Sequence, residues 1–522
     1  MQVASTFDIL GPVMVGPSSS HTAGALRIAQ LAASLAPAPV TRVAFTLYNS
    51  FAKTYRGHGT DRALLAGILG MSTDDPRIPR SFDIARDRGI SWEFTPSPAG
   101  EGLHPNTVDV DMLCADGSRV TVRGESVGGG RMRVVRVNGV DVELTGRMPT
   151  TFVAHRDIPG MLAMMTGELG GAEVNIAYMS SYRTTPGELA YAVFETDTAP
   201  APEVVARIAA HPDVFSAQVV RVPHERALAG DASSPLDFGT GAELLALCER
   251  EGLSVGELMR RREADLRGAA ESEEQMSRVL EVMRAEVSEP VEHPERSMGG
   301  MIGGEASALA GWADGHPRER TALCGDALSR ASVYALATLE RSAAMGVIVA
   351  APTAGSAGVV PACVLACGES LRADDDLLKD ALWCSAAMGA IIERNASVAG
   401  AEGGCQAEVG SAAAMAAAAC VQMMGGSPRA CLDAATLAVQ NLLGLVCDPV
   451  RGLVEVPCQT RNVIGAADAL TAAQLALAGV RSPIPFDEAV EAARQVGRAL
   501  PESLRETAMG GLAACPSCRA CG

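Results

Sequence analysis

The sequence predicts a multidomain chain with an N-terminal α/β domain, a βαββαβ unit after it, and a mostly α-helical C-terminal domain. Three observations carry this. Up to residue 147, short alternating apolar runs interleave with helical periodicity. Between 150 and 222 the pattern reads strand, helix, strand, strand, helix, strand, which is the ferredoxin-like order. Beyond 240 the apolar spacing is helical, and after Pro294 the composition shifts to Ala, Gly and Met. A Pro-, Gly- and Ser-containing stretch at 223–239 reads as a linker, so the expected domains are 1–147, 150–222 and 240–522.

In the first domain, Gly11–Gly24 holds two Gly-Pro pairs and three serines and reads as a loop ahead of a helix Ala25–Leu35. Val43–Tyr48 alternates like a strand. Gly57-His58-Gly59-Thr60-Asp61 is a second polar loop, with Asp61 placed to cap a helix Arg62–Leu69. The stretch 71–100 is turn-rich, and strands alternate from Thr107 to Leu144. In the second, strands are expected at Thr151–Ala154, Val174–Tyr182, Leu189–Glu195 and Val214–Val222, with helices Met161–Leu169 and Pro202–Ala210. In the third, amphipathic helices Glu243–Arg250, Ser254–Arg267 and Ser272–Val287 precede helices near 320–340, 375–394, 408–423, 428–443, 463–478 and 486–508.

Composition narrows the partners. A formal charge of −18 argues against nucleic acid and anionic membrane surfaces. The uncharged run Ser342–Gly368 is broken by Pro352, Pro361 and glycines, and reads as a buried strand–loop–helix and not a membrane span. Met1–Thr6 lacks the basic and apolar regions of a secretory signal, so a cytoplasmic protein with reduced thiols is expected. The 14 cysteines then read as small buried side chains plus a metal site.

Cys405, Cys447 and Cys458 stand beside Gly and Pro in loops or at helix starts, where separate segments can converge and helix N-termini favour thiolate. Their spacing matches no local metal motif, so buried structural thiols remain the alternative. Cys363, Cys367, Cys384, Cys420 and Cys431 lie in apolar helical stretches and read as packing. The tail carries Cys515, Cys518 and Cys521 at ferredoxin-like spacing without a fourth cysteine. Ser18, Ser19, Ser20, His21 and Thr22 precede a helix and suit a carboxylate, or simply cap that helix. His58 sits between glycines with little local packing to explain it, which suits proton transfer. The loops Ser297–Glu305 and Ala351–Gly358, with Ser297, Gly303, Gly304, Thr353, Gly355 and Ser356, suit anion binding. Neither is a Walker or dinucleotide fingerprint.

Taken together, Gly16–Thr22, Gly57–Asp61, Pro352–Gly358, Gly404–Gly410, Cys447–Val450 and Val456–Cys458 resemble the bacterial iron–sulfur L-serine dehydratases, over roughly residues 5–515. The resemblance implies β and α parts fused in one chain with an ACT regulatory domain between them, to which Val153–Ala163 and Val174–Ala177 are similar. It implies a [4Fe–4S] cluster held by Cys405, Cys447 and Cys458 with one iron open to the serine hydroxyl, and a base drawn from Ser18, Ser19, Ser20, His21 and His58. Thr22, Ser297, Gly303, Gly304, Thr353, Gly355 and Ser356 would bind L-serine. Leu103–Thr107 resembles the family's allosteric element, making His104 and Asn106 a second serine site. In some fused relatives a cysteine near the C-terminus folds onto the open iron, a role open to Cys521.

Three other functions stay in view. A pyridoxal-phosphate eliminase needs a Schiff-base lysine, and Lys53 and Lys379 are the only lysines. An amino-acid sensor on a degenerate scaffold would use the ACT unit and His104. A lyase for threonine or cysteine would share the whole site. A homodimer is expected, because ACT units often pair.

Overall fold

The computed structural model describes residues 5–146, 148–183, 186–220, 233–314 and 323–519. The chain forms two compact units, one of residues 1–19 with 233–522 and the other of residues 20–232. This division differs from the boundaries read from sequence. The first nineteen residues belong with the helical unit, and the two sheets of the N-terminal half share one unit. Most of the expected linker at 223–239 lies outside the described residues.

The N-terminus joins the helical unit through buried polar contacts. Ser5 caps the helix Thr6–Ile9. Glu263, fully buried, accepts hydrogen bonds from the Ser5 hydroxyl (2.5 Å) and the Thr6 N–H (2.8 Å), and pairs with Arg267 at 3.0 Å. Phe7 stacks edge-on against Trp383. Strand Val13–Val15 then pairs antiparallel with Val347–Val349, so a sequence-distant segment closes a two-stranded sheet.

The rest of this unit is helical because its Ala, Leu and Met patterning has no strand alternative of comparable length. Helix Ser411–Met423 is buried along its whole length. Helices Val359–Leu371, Asp375–Asn395, Pro428–Asn441 and Cys458–Leu477 share its core. Side chains this small let helix axes approach closely: a Cβ on Gly465 would lie 2.7 Å from Val409 Cγ1. The run Ser342–Gly368 resolves as expected into strand Val347–Val349, a turn Ala354–Ser356 and helix Val359–Leu371. The window Ala354–Leu371 is apolar and long enough to cross a membrane, and 72% of it is buried inside the protein. The helix expected to reach 508 stops at Ala499, just ahead of Pro501.

In the unit 20–232, a six-stranded sheet runs in the order Ser91–Pro96, Val40–Leu47, Thr107–Cys114, Arg119–Gly128, Arg131–Val137, Val140–Leu144. Its first pair is parallel and the others antiparallel. The edge strand Ser91–Pro96 and helix Ser81–Asp87 occupy the stretch expected to be only turns. Phe82, Trp92 and Phe94 stack there, an aromatic cluster no local period reveals. A four-stranded antiparallel sheet follows in the order Val214–Val220, Thr150–Arg156, Leu189–Thr196, Ile176–Arg183. Helices Met161–Gly171 and Pro202–Ala209 bury Met165, Leu169, Val204 and Ile208 against it, giving the βαββαβ topology expected from sequence.

Helices Ala25–Ser34 and Thr60–Ile68 cross at close range. A Cβ on Gly67 would lie 2.3 Å from the Leu26 carbonyl oxygen and 2.7 Å from Ala29 Cβ. These helices begin directly after the His21 and His58 segments, so their crossing sets how those segments meet. Asp61 is not the cap of the second helix: Gly59, at φ +63°, holds that position, and the Asp61 carboxylate accepts the Arg62 N–H inside the first turn. Gly67→Ala is expected to cost about 3 kcal/mol, because backbone must move. The measurement is amide hydrogen exchange, accelerated in peptides covering 25–34 and 60–68 and unchanged in peptides covering 411–423.

Candidate metal centre and histidine pair

The three cysteine segments reach one another by specific anchoring. Gly404, at φ +74°, turns the chain sharply into Cys405. A short π-helical turn, Gln406–Gly410, then leads into helix Ser411–Met423, and such turns recur at functional sites. Gln406 bolts this turn to its surroundings. Its N–H donates to the Leu445 carbonyl (2.9 Å), its Nε2 to the Ala493 carbonyl (2.9 Å), and its Oε1 accepts from the Gly444 N–H (2.8 Å). Cys447 is held by strand-like bonds to the tail: its N–H donates to the Leu504 carbonyl and its carbonyl accepts the Glu506 N–H, both at 2.9 Å. Cys458 opens helix Cys458–Leu477. One turn on, buried Asn462 accepts from the Gly358 N–H (3.1 Å) and donates to the carbonyls of Gly355 and Cys458 (2.9 Å each).

The outcome is a donor cluster. The sulfurs of Cys405 and Cys447 and a carboxylate oxygen of Glu408 lie within 4.8 Å of one another. Cys458 stands outside that set but within electrostatic reach of Cys405. Contact with the Cys405 thiol, then burial, pushes the Cys447 thiol well above its usual range, and burial does the same to Cys458. Adjacent buried thiolates repel one another, which keeps these thiols protonated, and a bound metal would displace those protons. Arg461 is the cation near the Cys405 and Cys458 sulfurs, and it pairs with buried Asp448 at 2.8 Å. Buried thiols from three segments beside one guanidinium suit a soft, thiolate-bound group of the iron–sulfur kind.

Glu408 was not singled out from sequence. The signal was available: it is one helical turn past Cys405, the lone charge in an otherwise apolar run. Its Oε1 accepts the Thr353 hydroxyl at 2.8 Å. A Cβ on Gly400 would lie 2.6 Å from Oε2 and 3.5 Å from the Cys447 sulfur, and a Cβ on Gly355 would lie 2.9 Å from Oε1. Burial pushes the Glu408 carboxyl up to about 7 against the Thr353 bond. Burial, then the charge of Glu408, pushes Glu506 up to about 8. The Ser356 hydroxyl lies 3.2 Å from that of Thr353, and the Ala354 N–H donates to the Ser19 hydroxyl at 3.0 Å. Ser19, Thr353, Gly355 and Ser356 therefore stand in one neighbourhood with the cysteines, and Ser18 is buried in the same unit.

The loop Ser297–Glu305 departs from its expected role. Gly299 and Met301 N–H groups donate to Glu455 (2.7 and 3.0 Å), Gly303 to Glu305 (2.7 Å) and Gly304 to Glu340 (2.9 Å). Ile302 N–H donates to the Ser297 hydroxyl at 3.3 Å. Carboxylates of the protein already occupy the donors at Gly303 and Gly304 that were expected to hold an anion. Glu455 and Glu340 come from distant parts of the chain, whereas Glu305 lies within the loop itself.

In the other unit, His21 and His58 are buried with ring centroids 4.5 Å apart at 61°. His21 Nε2 lies 2.9 Å from the Ser50 hydroxyl, and Phe51 packs edge-on against its ring. The Thr22 hydroxyl donates to the His58 carbonyl at 2.9 Å. Burial, then the neighbouring His58, pushes the His21 imidazole well below its usual range, so it is neutral near pH 7. Ser20 is half-buried at the start of this segment. His104 and Asn106 share one turn: the Asn106 N–H donates to His104 Nδ1 at 3.2 Å, and the Asn106 Oδ1 is buried without a protein hydrogen bond.

Lys379, expected at an exposed helix start, is largely buried and paired with Glu273 and Asp376, and Lys53 is exposed. Neither sits as a Schiff-base lysine would. Cys515 and Cys518 are partly buried, and Cys521 lies outside the described residues.

Comparison with known proteins agrees with this geometry. The family model "Serine dehydratase beta chain" matches residues 5–87, and "Serine dehydratase alpha chain" matches residues 250–513. L-serine dehydratase of Streptomyces coelicolor is 31% identical over 521 residues, 98% of each chain. L-serine dehydratase TdcG of Escherichia coli is 29% identical over 98% of each chain. The probable L-serine dehydratase alpha chain of Bacillus subtilis is 43% identical over 54% of this chain and 93% of its own length. A two-part match in one polypeptide, with a relative aligned from end to end, means that this chain belongs to the serine dehydratase family, its beta and alpha parts fused.

Proposed function

We propose that this protein is an L-serine ammonia-lyase that converts L-serine to pyruvate and ammonia. The observation that carries the reading is the convergence of Cys405, Cys447 and Glu408 within 4.8 Å in a family of serine dehydratases. Cys405, Cys447 and Cys458 would hold a [4Fe–4S] cluster, which when bound supplies Lewis acidity toward the substrate hydroxyl, a poor leaving group otherwise. The chain's own residues do the rest. Ser19, Thr353 and Ser356 present hydroxyls that suit the substrate's polar groups. A neutral imidazole of the His21–His58 pair suits removal of the Cα proton, with Ser18 and Ser20 as the flanking hydroxyls. Loss of that proton and of hydroxide gives 2-aminoacrylate, which tautomerises and hydrolyses to the products.

The βαββαβ segment at 150–220 supports an ACT-type regulatory role, and His104 with the unpaired amide oxygen of Asn106 supports a second, allosteric serine site. We place the enzyme in the cytoplasm as a homodimer.

Anaerobically purified protein is expected to be brown and to form pyruvate from L-serine, losing both properties on exposure to air and an iron chelator. Activity retained after iron removal rules this mechanism out. Cys458→Ala is expected to abolish colour and turnover, whereas Cys420→Ala, a helix-core thiol, leaves both. Faster turnover of threonine or cysteine than of serine reassigns the substrate.

Replacing the catalytic imidazole is expected to cut kcat by about 10²–10⁴ without loss of iron, tested with His21→Asn and His58→Asn. A base acts while deprotonated and fails as pH falls through its pKa. For His21 that lies well below 6.5, so activity should persist at pH 6. An acid limb at 6.5 or above excludes His21 as the base.

A further inference from the structure

The elements of the proposed reaction leave one substrate group without a partner. Serine brings a hydroxyl, a carboxylate and an ammonium. The hydroxyl belongs with the metal, and hydroxyls and N–H groups suit the carboxylate. An ammonium in a buried site needs an anion, since an unpaired buried charge is expensive. Only two carbons separate the amino nitrogen from the hydroxyl oxygen, so that anion must stand beside the cysteine sulfurs.

Resting on the serine reading, we propose that Glu408 is the seat of the substrate's ammonium group, held in place by Thr353. Four observations place it there. Its carboxylate lies within 4.8 Å of both the Cys405 and Cys447 sulfurs. The Thr353 hydroxyl occupies Oε1 at 2.8 Å, which fixes the carboxylate's orientation and, among the described residues, leaves Oε2 without a side-chain hydrogen bond. Oε2 is the oxygen nearest the Gly400 and Cys447 side of the site. Gly400 and Gly355 both pass so close to the carboxylate that a Cβ would collide with it, at 2.6 and 2.9 Å, so backbone walls bring the group forward.

Charge points the same way. Glu506, whose N–H bonds to the Cys447 carbonyl, brings a second acidic side chain into this neighbourhood from the tail. Arg461, a guanidinium near the Cys405 and Cys458 sulfurs, is engaged by Asp448 at 2.8 Å. With Arg461 so engaged, an acidic side chain beside the sulfurs suits an arriving cation better than an arriving anion. The site thus selects α-amino acids over hydroxy acids of the same skeleton, with Glu408 as the specificity-determining residue and Thr353 as its positioning residue.

The test compares L-serine with 3-hydroxypropionate, which keeps the hydroxyl and carboxylate and lacks the ammonium. Wild-type holoenzyme and the Glu408→Gln and Thr353→Val variants are prepared anaerobically, and iron content and visible absorption are measured first. Glu408→Gln is expected to keep the iron and spectrum of the wild type and to raise KM for serine about 10-fold or more. Its inhibition constant for 3-hydroxypropionate should stay unchanged. Thr353→Val should shift the same ratio by a smaller factor. Loss of iron from Glu408→Gln would make Glu408 a metal ligand and overturn the proposal. So would an unchanged KM for serine, or equal weakening of serine and 3-hydroxypropionate. If wild-type holoenzyme forms no pyruvate from serine, the serine reading itself fails, an outcome separate from any behaviour of the variants.

Discussion

Two buried amide side chains, Gln406 and Asn462, hold the cysteine-bearing segments together, and the candidate centre depends on them. Gln406 uses both polar ends of its amide to join the Cys405 turn to the Gly444 and Ala493 backbone. Asn462 does the same between the start of the Cys458 helix and the Thr353–Gly358 loop. Each buried partner left unsatisfied costs about 1–3 kcal/mol, so neither amide can rotate away cheaply. The cysteine-bearing segments are therefore tied to one another's surroundings by protein hydrogen bonds. A centre that must bind a cluster and still leave room for substrate needs that kind of preorganisation.

The small-residue core is the second condition for this arrangement. Helix Ser411–Met423 is surrounded on all sides, and its alanines let neighbouring helices approach until Gly465 touches Val409. Close packing restricts backbone movement at the helix starts, which is where Cys405 and Cys458 lie. Electrostatics then works within a rigid frame. The Cys447 thiol is raised by contact with Cys405 and by burial, and Cys458 and Glu408 by burial, and a metal group that supplies positive charge would reverse that penalty.

The sequence made the cysteines legible because thiols beside Gly and Pro stand out against an alanine background. It made the long helices and the βαββαβ order legible because their periods are local. Other features were hidden for one physical reason: they depend on pairs far apart in the chain. Ser5 meets Glu263, Gly299 and Met301 meet Glu455, and Val13–Val15 pairs with Val347–Val349. The Ser297–Glu305 loop looked like an anion cradle because its glycines and hydroxyls were visible, whereas two of the carboxylates that fill it, Glu455 and Glu340, come from elsewhere in the chain. Ser81–Asp87 was lost among turn residues, its stability resting on aromatic contacts across Phe82, Trp92 and Phe94.

The tail is part of the wall of this centre and not an appendage to it. Cys447 and Arg505 form a parallel bridge, with the Leu504 carbonyl and the Glu506 N–H completing the strand-like contact. The Leu512 N–H donates to Asp448 at 2.7 Å, the same carboxylate that engages Arg461. One short stretch of tail therefore fixes the backbone of a candidate ligand, supplies the carboxyl of Glu506, and fixes the counter-ion partner of Arg461. Glu506 and Ala508 hold positive φ values of +61° and +54°, which non-glycine residues adopt at a cost, so surrounding contacts must impose them. The bond from the Glu506 N–H to the Cys447 carbonyl is one of those contacts. Order in the tail and order at the cysteines are then coupled, because the Cys447 backbone bonds to Leu504 and Glu506 and the Asp448 carboxylate to Leu512.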